Sequence, residues 1–128
     1  MRGLRRVCEC RATVKTDELL RRLALNDEKT VRSAISAGPD AALDAKTCAL
    51  VRLASLLAVG GAVPLCRTTV ETARAAGASD EEIVGVLVAI GPAVGAARLV
   101  DAAPCLALAA DYEVEGLDVA GLGAPGAG

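Results

Sequence analysis

The chain has no histidine, no phenylalanine and no tryptophan, and its one aromatic ring is Tyr112. Without histidine the commonest general base and the commonest metal ligand are both missing, and every Ser-His or Cys-His triad goes with them. Any catalysis must draw on Cys, Asp, Glu, Lys, Arg or Tyr. With a single ring there is no platform for stacking nucleobases, and a net charge of −2 points the same way, against nucleic acid as a partner. Scarce strand-forming aromatics beside abundant strong helix formers point to an all-α fold. A long membrane span is missing too. The uncharged run from Ile83 to Ala97 is broken by Gly91-Pro92, which suits a buried helix better than a bilayer crossing. No apolar segment follows Arg5 and Arg6, as a secretory leader would require. No membrane is therefore expected among the partners.

What is present is a 53% apolar chain of 128 residues, enough for one domain with a core of Leu, Val, Ile and Ala. Its five cysteines, Cys8, Cys10, Cys48, Cys66 and Cys105, are odd in number and lack disulfide-scaffold density. They read as reduced thiols of a cytoplasmic protein. Cys8-Glu9-Cys10 is half a metal site at most, with no second cluster to complete four ligands, so neither metal nor cofactor is expected.

Along the chain, residues 1–15 carry five basic residues and one acid without a period, and read as a flexible arm. An all-α domain follows over 16–112. Thr16 or Asp17 caps a short helix through Ala24, and Asp27 caps another that stops at Gly38-Pro39, a hairpin expected to pack over the core. Asp44 precedes a helix from Ala45 to Val59 whose only polar members after Cys48 are Arg52 and Ser55, so it should be almost surrounded by protein. Gly60-Gly61 ends it. Pro64 suits the first turn of the next helix, which stops at Gly77. Ser79-Asp80-Glu81-Glu82 is a capping box before Ile83 to Ile90, a run with no polar face and therefore also central. A break is expected at Gly91-Pro92, then a last helix from about Ala93 to Tyr112, bent at Pro104. The Gly/Ala-rich acidic stretch 113–128 reads as a mobile tail.

The segments LDAKTCALVRLASLLAVGG and VETARAAGASDEEIVGVLVAIGPAVGAARLV resemble the carboxymuconolactone decarboxylase and alkylhydroperoxidase-D-like family. The junction AAGAS-DEEI carries the likeness most specifically. The resemblance, from Leu43 to about Tyr112, implies a helical bundle of the alkylhydroperoxidase-D-like type, assembled as a homotrimer or hexamer. It also implies lactone-acid decarboxylation or thiol-based peroxide reduction of the peroxiredoxin type. The peroxidase branch carries C-x-x-C-x-x-x-H with a glutamate on the preceding helix. Aligned on AAGAS, its cysteines fall on Ala62 and Leu65, its histidine on Thr69 and its glutamate near Ala49. The motif is degenerate here, and Cys66 sits one residue, about 100° of helix, from the resolving position.

Cys66 is the candidate nucleophile. In the first turn after Pro64 free N–H groups favour a thiolate, Arg67 adds positive charge, and Thr69 shares its face. The competing reading is a buried thiol acting as a small apolar residue. Cys48 and Cys105 read as core packing, although a fold can bring either beside Cys66. Arg52 and Arg98, lone charges in apolar helices, are candidates to bind a carboxylate ligand, or else to pair with acids such as Asp101 or Glu71. Arg67, Glu71 and Arg74 together read as a solvated face. Three functions stay open: a thiol peroxidase using Cys66, Arg67 and Thr69; a non-catalytic oligomer binding a small molecule through Arg52; and a histidine-independent decarboxylase or lyase.

Overall fold

Asp27 illustrates how locally these helices are specified. Its carboxylate accepts the Thr30 N–H at 3.0 Å and the Thr30 hydroxyl at 2.5 Å, filling one of the orphan donors of a helix start. Those bonds hold the Asp27 carboxyl below its usual range, the Thr30 hydroxyl contributing most. The computed structural model describes residues 16–36 and 42–113. The expected arm, the Gly38-Pro39 stop and the tail beyond 113 lie outside the described residues. Among the described residues there are five helices and no strand: α1 Thr16–Ala24, α2 Glu28–Ser36, α3 Ala45–Val59, α4 Val63–Ala75 and α5 Asp80–Ala109. The all-α expectation holds. The chain divides after Asp44 into two compact units.

The first unit is the α1–α2 hairpin. Arg22 pairs with Glu18 at 2.8 Å, and Arg32 with Glu28, both one turn apart. Asn26 takes a left-handed φ of 58° between the helices, and Asp27 N–H closes the turn on the Arg22 carbonyl at 2.9 Å. None of the residues of either helix is buried.

The second unit packs α3, α4 and α5 around one core. Each helix contributes a stripe at one-turn spacing: Ala49, Leu53 and Leu57; Cys66, Val70 and Ala73; Ala102, Leu106 and Ala109. Ile83 joins from the start of α5. The start and stop signals work as expected. Gly61 N–H bonds back to the Leu56 carbonyl at 2.7 Å to end α3. Pro64 sits in the first turn of α4, where no backbone donor is lost from the ladder. Ala78 N–H reaches the Ala73 carbonyl at 2.9 Å past Gly77. Ser79 and Glu82 make the full capping box. The Glu82 carboxyl is held below its usual range, first by the Ser79 N–H and then by Lys46.

Two expectations are corrected. The break in α5 falls at Gly95, not at Gly91-Pro92. Pro92 and Pro104 both sit inside helical backbone, whereas Gly95 has φ 82° and ψ 167°, a region that only glycine enters cheaply. Pro92 removes one ladder bond near the end of the first segment, and the glycine takes the whole change of direction. The helices expected to be almost surrounded by protein leave apolar side chains uncovered among the described residues. Val51 and Val59 on α3, and Val84 and Val88 on α5, are exposed. By length and composition alone α5 would also suffice to cross a membrane.

Candidate functional site

The site lies where the turn after α3 meets the start of α4 and the second half of α5. Gly60 has φ 81°, so the chain reverses there in a conformation that disfavours a side chain. The reversal aims the Gly61 carbonyl inward. Cys66, in the second half-turn of α4 and fully buried, places Sγ 3.7 Å from that carbonyl oxygen. Cys105, half-buried on α5, places its Sγ 3.6 Å from the same oxygen and 3.8 Å from the Cys66 sulfur. The two thiols thus share one acceptor and touch one another. Among the described residues no imidazole or carboxylate lies within hydrogen-bond reach of either sulfur, and no group of three or more ligating side chains could hold a metal ion.

The sequence reading of Cys66 needs correction in one respect. Its thiol is pushed up to about 11 by burial first and by the neighbouring Cys105 second. Position near a helix N-terminus was expected to favour a thiolate. Cys66 N–H, however, already bonds to the Ala62 carbonyl at 3.0 Å, and the sulfur faces a carbonyl oxygen instead of free donors. Desolvation therefore wins.

Arg67 points to the other end of α5. Its guanidinium donates to the Leu108 carbonyl and to Asp111 Oδ1, both at 2.7 Å. Arg74, two turns on, donates to the Ala110 carbonyl at 3.0 Å and to Asp80 at 3.1 Å. The run expected to be merely solvated satisfies carbonyls that the α5 terminus leaves without partners, at the pole of the helix dipole that favours cations. Thr69 donates its hydroxyl to the Leu65 carbonyl of its own helix at 2.9 Å. Arg52 is exposed on α3. Arg98 is half-buried, with its guanidinium over Gly60, where an added Cβ would meet Nη1 at 3.0 Å. Cys48 is buried in the core, as expected. A surface cleft of about 520 Å³, lined by Asn26, Glu28, Val31, Arg32 and Ile35, belongs to the hairpin and contains none of these residues.

Of Cys48 and Cys105, either of which the sequence left able to approach Cys66, the fold brings in Cys105. No local spacing joins it to Cys66, because 39 positions separate them. The one available hint was a cysteine following Pro104 on the same helix stripe as Ala102 and Ala109.

Compared with known proteins, residues 28–108 match the model of the carboxymuconolactone decarboxylase family. No curated protein and no solved structure matches the chain.

Proposed function

The chain belongs to the carboxymuconolactone decarboxylase family, and from that premise we propose that it is a thiol-dependent peroxidase whose working pair is Cys66 and Cys105. One observation carries the reading: two free thiols lie 3.8 Å apart and share one carbonyl acceptor. From 3.8 Å the sulfurs need to close by less than about 2 Å to reach the disulfide bonding distance of about 2.05 Å.

Exposure assigns the roles. Cys105, the more open of the two, meets the peroxide first. Its thiolate attacks the nearer peroxide oxygen, an S–O bond forms as the O–O bond breaks, and the alkoxide leaves as alcohol after taking a proton from water. Sulfur is oxidised by two electrons to the sulfenic acid. Cys66 then attacks that sulfur, the S–S bond replaces the S–O bond, and hydroxide leaves as water with the Cys66 proton. A small dithiol or a dithiol protein restores both thiols. With no base beside the pair, the proton must pass to solvent, so turnover rises with pH.

The same reading includes a cytoplasmic location, where such a reductant is available, and a homotrimer or hexamer. Family membership and the exposed valines of α3 and α5 support the assembly. The absence of a base near the sulfurs gives a second reading its support, a non-catalytic oligomer binding a small molecule. A decarboxylase gains no such support, since no proton-handling group adjoins the site.

Peroxide consumption with dithiothreitol as reductant separates these readings. Cys105→Ser and Cys66→Ser should each lower the rate by about a hundredfold or more, since the pair acts as a unit. Equal rates in all three proteins would end the peroxidase reading.

A further inference from the structure

Building on the peroxidase reading, we propose that the thiol pair acts on organic hydroperoxides that carry a carboxylate, with Arg98 as the anchor for the charge. Arg98 differs from the other arginines placed around the core. Arg67 and Arg74 each hold an acid and a carbonyl. The half-buried Arg98 guanidinium makes no ion pair or hydrogen bond with any described residue. It offers a planar fork of donors, the geometry that matches a carboxylate in two parallel bonds.

Its position relates it to the sulfurs. Arg98 and Cys105 lie seven residues apart on one uninterrupted stretch of α5, two turns along the same side, which is about 10 Å. Both close on the same turn. Arg98 covers Gly60, and Cys105 Sγ lies 3.6 Å from the Gly61 carbonyl. Gly60 is the residue that leaves room for the guanidinium, since a Cβ there would sit 3.0 Å from Nη1. Between them on α5, Ala102 is buried in the core, so the open approach to Cys105 lies on the side of the turn after α3. Val59, beside Gly60, and Leu65, beside Cys66, are exposed apolar side chains at the rim. An organic hydroperoxide with an anionic end offers a carboxylate to Arg98 and a peroxy group to Cys105. Hydrogen peroxide engages only the sulfur.

A purely structural role is the alternative for Arg98, because a cation at the C-terminal end of α3 gains from the helix dipole. That role would change stability equally whatever the substrate. The experiment compares linoleic acid hydroperoxide with its methyl ester and with hydrogen peroxide, below micellar concentrations, in wild type, Arg98→Gln and Arg98→Lys. The acid should show a KM about tenfold or more below that of its ester in wild type. Arg98→Gln should abolish that gap by raising the KM for the acid to that for the ester, and Arg98→Lys should restore part of it. Equal KM values for acid and ester in wild type would overturn the proposal while leaving the peroxidase reading intact. Calorimetric binding of the corresponding hydroxy acid and its methyl ester keeps the two failures apart. If no peroxide is consumed, selective binding of the hydroxy acid that Arg98→Gln removes still supports the anchor. Acid and ester bound alike would refute it.

Discussion

The hairpin and the three-helix unit use the same residue types to opposite effect. Leu20, Leu25 and Ile35 of the hairpin are exposed, no residue of α1 or α2 is buried, and their helicity leans on one-turn ion pairs and the Asp27 cap. In the three-helix unit Leu53, Leu57, Val70 and Ile83 are sealed from solvent, and the long-range arginine contacts tie α4 to the end of α5. Amphipathic pattern alone does not say which helices build a core. The difference lies in the partner face, and small residues supply it: Ala49, Ala73, Ala102 and Ala109 let backbones approach closely enough for two sulfurs on different helices to meet.

That contrast can be broken first at Leu53. Leu53→Ala should cost about 2–5 kcal/mol, by lost transfer energy plus the cavity left behind. Leu20→Ala in the hairpin should cost no more than about 0.5 kcal/mol. Denaturant midpoints measure both, and similar losses would erase the distinction between the units.

The buried thiol supplies the next effect. Folded Cys66 keeps its proton to about 11, while the unfolded thiol loses it near 9.0. Between those values the unfolded state sheds a proton that the folded state retains, so stability falls as pH rises through the window. The ceiling is roughly 2–3 kcal/mol. Cys66→Ala should flatten this part of the pH–stability curve relative to wild type. A curve of unchanged slope would mean that the sulfur is solvated.

Gly95→Ala should cost about 1–3 kcal/mol from backbone strain alone, since an added Cβ there meets open space. Thermal unfolding of this variant sharpens where the break in α5 sits. Gly91→Ala, at the position where sequence alone suggested the break, should cost less. Smallest of all, Glu18→Gln should remove no more than about 0.5 kcal/mol of hairpin helicity, an effect that salt would hide.

Much of this architecture was legible beforehand because its signals are local. Ser79 and Glu82 announce the start of α5, Pro64 the start of α4, and Gly60 and Gly77 the stops. The break in α5 was misplaced because Gly91-Pro92 is the stronger local signal, while the outcome depended on which glycine could turn the chain while keeping Ala102, Leu106 and Ala109 on the core. The site was half legible. Cys66 stood out by position, but its high pKa depends on burial that no spacing reveals. Cys105 became a partner only through the packing of α5 on α4. Arg67 looked like an aid to the thiol because it is adjacent in sequence, yet on a helix adjacent residues diverge by about 100°.

The central claim is that Cys66 and Cys105 form one redox unit. Peptide mapping by mass spectrometry after treating the reduced native protein with one equivalent of peroxide tests it most directly. The account predicts a single intramolecular disulfide joining Cys66 to Cys105, reversed by dithiothreitol. Overoxidised Cys105 with Cys66 still free, or a bridge formed by other cysteines in its place, would contradict it.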